Sequence, residues 1–396
     1  MDMQERLERE VESFVARRTG RECVFMPSGR IALYCALRAL LSPGDRVLMS
    51  PATDDVILFV VLAAGLRPVA APLSAADGNI DVQAVPEQTW SQVRAVLTTN
   101  LYGLPDRMVE LRQRCDAHRL VLFEDVAHAI ETEVDGVALG SFGAAAAFSL
   151  SKHVDAYRGG VLAIADPSLR GEIERIRAGI LQEPGLARRL ADRAKPLAKG
   201  LLESMGIMER IRRARETAAA QPERAQGSHR MDLQPQALRQ AVAGGPILAA
   251  FDPWVRVDRH DYPMRPGVVD LRRMLDRLRG LDRDRELRMR GVERLCRELD
   301  CVTPGARGAA PLPLFRLPLL VADREAAMAG LAACGVLVRY IYDAPLDDYA
   351  GAEFITPSPA PEAGRWWVRH ALPIDPLLAD MALPVLRQLP PARPGR

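Results

Sequence analysis

The chain of 396 residues carries 53 Lys and Arg against 51 Asp and Glu, a formal net charge of +2. With only 5% aromatic residues, it lacks the concentrated basic face and the aromatic platforms expected of a nucleic-acid-binding protein. A hydrophobic fraction of 48% and a charged fraction of 26% are ordinary for a soluble globular protein. The length predicts one large domain and one smaller domain.

Targeting and cysteine patterns indicate a cytoplasmic protein. The start, MDMQERLEREVESFVARRTG, is charged and helical in pattern, so we do not expect a signal peptide. No apolar run reaches the length of about 18 residues that a membrane span needs. The six cysteines are scattered without CxxC spacing, which predicts reduced thiols and neither a zinc site nor a disulfide framework.

Residues 20–166 alternate short apolar runs with helical patterns, as β/α units around a mostly parallel sheet do. The predicted helices are 30–41, 55–65 and 106–118. The predicted strands are 46–50, 67–73, 94–100, 120–125 and the stretches AAAAFSLS and GGVLAIAD, which place Lys152 on a turn between two strands.

The pattern of residues 167–245 predicts a helical, arginine-rich insertion in the predicted large domain, residues 1–245. Within it, residues 197–220 have the pattern of a basic amphipathic helix, which can lie on an anionic membrane surface. A solvated helix that covers a subunit or domain interface is the favoured interpretation. Apart from this possible surface helix, we predict no contact with a membrane.

The predicted smaller domain, residues 246–396, begins with helical patterns from about residue 268. Strands are predicted at 314–321 and 336–342, with a helix over 323–334 between them. This layout is typical of a small α+β domain.

Ser28 and Gly29 directly precede the helix predicted to begin at Arg30. Small residues at a helix N-terminus leave backbone N–H groups available to an anion, and the helix dipole favours phosphate there. Because any N-cap serine gives the same pattern, this motif alone does not separate a phosphate site from an ordinary cap.

The stretch LFEDVAHA ends an apolar strand in Glu124 and Asp125, with His128 three residues later. Open α/β sheets bind ligands at the carboxyl ends of their parallel strands, and a buried carboxylate there requires a cationic partner. The alternative is that Asp125 caps the following helix.

Lys152 belongs to a chain whose only other lysines are Lys195 and Lys199. Lysine, unlike arginine, can lose its proton near neutral pH and attack a carbonyl, although an ordinary surface lysine is the simpler interpretation of the residue alone. Gly159 and Gly160 follow it and would let the backbone pass close to a ligand. A phosphate cradle, a strand-end aspartate and a lysine, in this order, together meet the requirements of pyridoxal 5′-phosphate (PLP).

Six stretches occur in chain order: PSGRIALYCALRALLSPGDRVLMSP, AAGLRPV, NLYGLPDRM, LFEDVAHAIETEVDGVALGSFGAAAAFSLSK, RGGVL and LAACGVLVRYIYDAPL. Together they resemble the DegT/DnrJ/StrS-type sugar aminotransferases, fold-type-I PLP enzymes of the aspartate aminotransferase superfamily. The resemblance covers roughly residues 20–166 and 255–385. It implies an α/β fold with a mostly parallel seven-stranded sheet between helices in the large domain, and a smaller C-terminal α+β domain.

The resemblance also implies roles for individual residues. Lys152 would be the Schiff-base lysine and proton carrier, and Asp125 would pair with the pyridine nitrogen of PLP. His128 falls where the family has Gln or His beside the cofactor. The implied phosphate site consists of the backbone N–H groups of Gly29 and Arg30, the hydroxyl of Ser149, and Ser28.

A further implication is a homodimer with shared active sites, in which a partner segment matching residues 260–267 contacts the phosphate. Four positions depart from the family pattern. Asp54 stands where the family has an aromatic residue that stacks on the cofactor, and Arg158 stands where it has an acidic residue before the double glycine. Asp261 stands where the partner segment has an asparagine, and Ile341 stands where the family has a histidine near the sugar site. These departures predict an altered substrate pocket.

We therefore expect a PLP-dependent aminotransferase that transfers an amino group from an amino-acid donor such as glutamate to a keto or aldehyde acceptor, a ketosugar or a specialised-metabolite intermediate. A PLP-dependent lyase or dehydratase is one alternative. Family members that eliminate a sugar hydroxyl have a histidine in place of the Schiff-base lysine. In this chain, counting back from Gly159 puts Lys152 at that position and not His153, which favours transamination. A non-catalytic binding protein, suggested by Asp54 and Asp261, is another. A nucleotide-binding oxidoreductase is disfavoured, because no GxGxxG follows the first strand.

Overall fold

The computed structural model describes residues 2–153, 158–183, 185, 230–257 and 262–393. Within these ranges the strands are β1 (Glu22–Met26), β2 (Arg46–Met49), β3 (Arg67–Ala70), β4 (Ala95–Thr98), β5 (Val121–Asp125), β6 (Glu133–Val134), β7 (Val137–Ala138), β8 (Ala145–Ser149), β9 (Gly160–Ile164), β10 (Leu317–Leu320) and β11 (Ala371–Ile374).

The helices of the same ranges are α1 (Met3–Thr19), α2 (Gly29–Leu40), α3 (Asp55–Ala63), α4 (Glu87–Gln92), α5 (Met108–His118), α6 (Leu150–His153), α7 (Arg170–Ala178), α8 (Pro235–Ala243), α9 (Asp252–Val255), α10 (Val268–Arg279), α11 (Leu281–Glu298), α12 (Pro304–Ala309), α13 (Arg324–Ala333), α14 (Leu346–Ala350), α15 (Glu362–His370) and α16 (Ala379–Leu386). In this part of the chain every helix is too short or too polar to span a lipid bilayer.

Seven strands form the central sheet, in the spatial order β1-β9-β8-β5-β4-β2-β3. The strands from β8 to β3 run parallel to one another, whereas β9 is antiparallel to both of its neighbours. The prediction of a mostly parallel seven-stranded sheet is confirmed. The strands β10 and β11 form a separate antiparallel pair in the C-terminal part.

Both faces of the central sheet are buried, as in other parallel sheets covered by helices. In β2, Val47 and Met49 belong to the core shared with α2 and α3, whereas Leu48 belongs to the core shared with α1, α5 and α10. A third core surrounds β10 and β11 and draws most of its side chains from Val292–Leu386. The division of the chain into domains at residue 245 stays a prediction.

The predicted strand over residues 336–342 is wrong. β10 pairs with β11, and residues 336–342 form an irregular loop instead. Tyr340 has a φ of +66°, in the left-handed region that breaks extended backbone. Lys152 lies in the short helix α6 between β8 and β9 rather than on a simple turn. The possible membrane-surface helix, residues 197–220, lies outside the described residues.

Candidate active site

The carboxyl ends of the neighbouring strands β5 and β8 carry the central residues of the candidate site. Asp125 ends β5 and pairs in register with Ala147 of the parallel strand β8. Ser149 ends β8, and α6 with Lys152 follows at once. Three of the residues identified in the sequence therefore meet at one edge of the sheet, where open α/β sheets place their ligands.

The start of α2 lies directly against the end of β8 and the start of β9. Ser28 caps α2 by accepting a hydrogen bond from the N–H of Ile31 at 3.4 Å. A Cβ atom on Gly29 would stand 3.0 Å from the Cβ of Ser149. Because the first backbone N–H groups of a helix have no partner within the helix, this cradle offers donors and a positive dipole end to an anion.

Gly160 makes this close approach possible. A Cβ atom there would lie 2.6 Å from the carbonyl carbon of Ser28 and 2.7 Å from the nitrogen of Gly29. Both are backbone atoms, so neither can move aside as a flexible side chain would. The glycine at this position therefore allows the start of strand β9 to pack directly against the backbone of the cradle.

We expect Gly160→Ala to lower the free energy of unfolding by about 1–3 kcal/mol, because the added methyl group overpacks the cradle. Gly171→Ala is the matched control: nothing lies within 4 Å of its added Cβ, so it should stabilise α7 by about 0.5–1 kcal/mol. Urea unfolding of both variants measures the effects. Equal midpoints for Gly160→Ala and the unmodified protein would contradict the predicted clash.

Hydrogen bonds to both its carboxylate and its backbone carbonyl hold Asp125 in place. Its carboxylate accepts the N–H of Ala127 at 2.9 Å, and its carbonyl accepts the side-chain amide of Asn100 at 3.1 Å. Asp106 in turn accepts the N–H groups of Asn100 and Thr99, each at 3.0 Å. The polar residues of the NLYGLPD stretch thus position the end of β5.

Burial raises the pKa of Asp125 from its usual value of 3.8 to about 6. The hydrogen bond from Ala127 and the positive charge of Lys152 oppose this shift, and the negative charge of Asp54 adds to it. A desolvated carboxyl group of this kind would become a stable carboxylate beside a further cation. The pyridinium nitrogen of PLP is such a cation.

Glu124, the other acidic residue of β5, has a structural role. Its buried carboxylate accepts three backbone N–H groups, from Gly140 and Gly143 at 2.7 Å and from Phe142 at 2.8 Å. These bonds fix the turn that leads into β8. The sequence places Glu124 and Asp125 side by side, and the pleat directs them to different environments.

Lys152 is half-buried, and its Nζ lies over the ring of Tyr340, 4.4 Å from the ring centroid. Tyr340 belongs to the loop that follows α13. His128 is buried; its ring stacks on Phe315 with centroids 4.7 Å apart and meets the ring of Tyr340 edge-on at 5.4 Å. The guanidinium of Arg316 lies over Phe315 as well, 4.1 Å from the centroid.

Arg230 joins the turn after β2 to the loop after Tyr340. Its guanidinium donates hydrogen bonds to the carbonyls of Thr53 at 2.6 Å, Ala344 at 2.9 Å, Tyr342 at 3.0 Å and Pro51 at 3.4 Å. Burial lowers the pKa of Arg230, and nearby carboxylates oppose that shift. Lysine, a single ammonium, does not reproduce this planar set of donors.

Asp54 stands at the N-cap of α3 and accepts the N–H of Val56 at 3.1 Å. Burial, followed by the charge of Asp54, raises the pKa of the adjacent Asp55 to about 6. Asp55 accepts the N–H of Met231 at 2.8 Å. The two carboxyl groups and Arg230 form one network beside Asp125.

The remaining positions singled out in the sequence lie around this centre. The guanidinium of Arg30 lies 5.7 Å from the ring centroid of Tyr262, whereas its predicted role concerns its backbone N–H at the start of α2. Arg158 is buried, 3.9 Å from the carboxylate of Asp270. Ile341 packs against the third core. Asp261 lies outside the described residues.

Sequence reasoning missed Tyr340, Phe315, Arg316 and Arg230. The aromatic repeat in VRYIYD was a visible signal for Tyr340, but no local pattern points to Arg230. The donor set as a whole fits PLP: the cradle of Ser28, Gly29 and Ser149 suits a phosphate, a desolvated carboxyl group suits a pyridine nitrogen, and an amine suits an aldehyde.

Comparisons with solved structures agree with this fold. The Helicobacter pylori aminotransferase PseC, involved in pseudaminic acid biosynthesis, aligns with a TM-score of 0.65 at 14% identity over 98% of this chain and 91% of that chain. A DegT/DnrJ/EryC1/StrS aminotransferase from Brucella abortus aligns with a TM-score of 0.67 at 17% identity, over 98% and 90%. At these identities the likeness concerns the fold.

Two curated relatives match part of the sequence. GDP-perosamine synthase of Vibrio cholerae is 31% identical over 160 residues, 38% of this chain and 44% of that protein. The dTDP-3-amino-3,4,6-trideoxy-α-D-glucose transaminase of Streptomyces venezuelae is 32% identical over 191 residues, 47% and 49%. The chain thus spans less than half of the length of each relative. The DegT/DnrJ/EryC1/StrS aminotransferase family model matches residues 2–206, slightly more than half of the 396 residues, and the chain belongs to this family.

Proposed function

We propose that this protein is a PLP-dependent aminotransferase that moves an amino group from an amino-acid donor, such as glutamate, to the keto group of a sugar or another cyclic ketone. The observation that carries the proposal is the meeting of Lys152, Asp125 and the Ser28–Gly29–Ser149 cradle at one edge of the sheet. Its relatives named as perosamine synthase and as an aminotrideoxyglucose transaminase support the acceptor class.

The residues of the site have complementary roles toward PLP. Lys152 would hold the aldehyde carbon and Asp125 the pyridine nitrogen, with His128 beside the ring. The phosphate would lie at Ser28, Gly29, Ser149 and the backbone N–H of Arg30. Bound there, PLP supplies an electron sink for the carbon from which the amino group departs.

Lys152 then acts as the general base and acid of the reaction. Its neutral amine accepts the proton from the α-carbon of the donor, and its ammonium returns a proton to the carbon that receives the amino group. Asp125, as a carboxylate, keeps the neighbouring nitrogen protonated. The buried rings of His128 and Phe315 exclude water from one side, which strengthens these charge interactions.

The test is an absorbance spectrum of the purified protein after incubation with PLP, before and after addition of L-glutamate, L-glutamine or L-alanine. We expect a visible band that a donor bleaches. The bleached protein should then recover its band with UDP-N-acetyl-3-dehydro-α-D-glucosamine, dTDP-4-dehydro-2,3,6-trideoxy-D-glucose or 2-deoxy-scyllo-inosose, ketones named for substrates of its relatives. A band that none of the three donors bleaches would exclude transamination with these donors.

We further propose a cytoplasmic homodimer whose two sites are shared between subunits. The scattered cysteines support a reducing compartment, and the resemblance of residues 260–267 to a partner segment supports the shared site. One chain has a mass of 43.5 kDa, and light scattering of the purified protein should give twice that mass. A monomer that still transaminates would exclude the shared site.

A further inference from the structure

The ring of Tyr340 lies against the amine on which the proposed chemistry depends. The Nζ of Lys152 is 4.4 Å from its centroid. On the same ring, the guanidinium of Arg316 lies 5.3 Å from the centroid. Phe315 and His128 meet the ring edge-on at 5.1 Å and 5.4 Å. The half-buried side chain thus contacts residues from both the central sheet region and the C-terminal part.

The backbone of Tyr340 is held in an unfavourable conformation. Its φ of +66° is a left-handed value that a bulky residue rarely adopts and keeps only where the surroundings enforce it. The hydroxyl of Tyr102 donates a 2.6 Å hydrogen bond to the carbonyl of Tyr340. Tyr102 is itself buried between the rings of Tyr342 and Trp367. The fold therefore aims this ring at Lys152.

Geometry connects the ring to the substrate. A carbon that exchanges a proton with the Nζ of Lys152 must approach that nitrogen to within about 3–3.5 Å. The ring of Tyr340, whose centroid is 4.4 Å from the same nitrogen, occupies one side of it and so limits the directions from which that carbon and its substituents can approach. An aromatic face accepts flat, C–H-bearing surfaces, such as the face of a six-membered ring ketone, and resists branching.

We propose that Tyr340 is a specificity-determining residue whose ring forms one wall of the substrate subsite and limits the bulk carried by the reacting carbon. This inference rests on the proposed function, since it assigns the wall to molecules that react at Lys152. Arg316 acts as a positioning residue: it forms a 2.9 Å ion pair with Asp375 and supports the ring from the side of the C-terminal part.

Three variants separate this role from a merely structural one. Tyr340→Phe keeps the ring and removes the hydroxyl, whereas Tyr340→Ala removes the wall. Tyr349→Ala is the matched control: Tyr349 is also half-buried, but its ring packs beside Arg230, 5.8 Å from the guanidinium. The readout is the ratio of the single-turnover bleaching rates with L-phenylalanine and L-alanine, a bulky and a small donor.

In Tyr340→Ala we expect this ratio to rise by about tenfold or more, because a few carbon atoms of pocket space discriminate by that factor. Tyr340→Phe and Tyr349→Ala should stay within about twofold of the unmodified ratio. An unchanged ratio in Tyr340→Ala, or an equal rise in the control, would overturn the proposal.

A second readout does not depend on transamination. Reductive methylation of the cofactor-free protein, followed by peptide mass spectrometry, gives the reactivity of Lys152 relative to Lys195 and Lys199, the other two lysines of the chain. Removal of the ring should raise the relative rate at Lys152 about fivefold or more, as access to an amine controls its reactivity, and Tyr340→Phe should not. If the unmodified protein forms no band with PLP, the proposed function fails and the substrate wall fails with it, and the methylation rate then reports only whether the ring shields Lys152. If the band forms, an unchanged methylation rate in Tyr340→Ala overturns the wall while the proposed function stands.

Discussion

Replacement of Lys152 by alanine is expected to abolish the PLP-dependent visible band and to lower the transamination rate by about 10⁴-fold or more. The variant lacks both the amine that would hold the cofactor and the base that would move the proton. Stability should change little, because the side chain is half-buried over Tyr340 rather than packed in a core. The band, the rate with L-glutamate and the urea midpoint are the measurements.

Two controls define this result. Lys152→Arg keeps a positive charge over the Tyr340 ring but cannot provide a neutral amine near neutral pH, so it should be as inactive as Lys152→Ala. The double variant Lys195→Ala, Lys199→Ala removes the other two lysines and should keep the band. Activity of Lys152→Ala within tenfold of the unmodified protein would remove this residue from the mechanism.

Asp125→Asn should affect activity and stability in opposite directions. The amide cannot hold a pyridine nitrogen protonated, so we expect transamination to fall by about 10²–10³-fold, the effect of losing one preorganised electrostatic partner. The same change removes a carboxyl group that is buried in the fold. The cofactor-free variant should therefore be more stable than the unmodified protein at pH 7.5.

The direction of the pH dependence follows from the raised pKa. In the folded protein the pKa of Asp125 is about 6, against a usual value of 3.8, so the folded state binds this proton more tightly than the unfolded state does. The contribution of Asp125 to the stability of the cofactor-free protein should therefore fall as the pH rises from about 4 to about 6 and stay lower above that range. Between pH values below 4 and above 6, the raised pKa of Asp125 lowers the free energy of unfolding by about 3 kcal/mol in total.

Urea unfolding at pH 4.5 and pH 7.5 tests the prediction. Asp125→Asn should gain about 1–3 kcal/mol over the unmodified protein at pH 7.5 and little at pH 4.5. Glu124→Gln, the same change one residue earlier, should instead lose stability, because its amide would face three N–H donors. A loss of stability in both variants at pH 7.5 would contradict the assigned burial of Asp125.

Much of the architecture is readable from the sequence because periodicity and breaker residues are local signals. The predicted strands at 46–50 and 120–125 and the predicted helix at 30–41 correspond to β2, β5 and α2. The spatial order of the strands is not readable in this way. It depends on which apolar faces pack together over long separations in the chain. The alternating pattern predicted a mostly parallel sheet, and only the resemblance to a known family implied that it has seven strands.

The site shows the same division. The apolar run before Asp125 predicts its position at a strand end, whereas only the resemblance implied a role for Ser149. The structure places both residues and Lys152 at one edge of the sheet, and their roles stay predictions. Residues that reach the site from distant segments left no trace in local patterns. Tyr340 belongs to a stretch that reads as a strand, and only the left-handed backbone, imposed by tertiary contacts, turns its ring toward Lys152.

Arg230 also ties together two segments at one border of the site. One guanidinium donates to carbonyls of both the 51–53 turn and the 342–344 loop. To part these two segments, the protein would have to release both hydrogen bonds to one of them, since a rigid planar group cannot follow two separating segments. These hydrogen bonds therefore make the 51–53 turn and the 342–344 loop move as one unit at this border of the site.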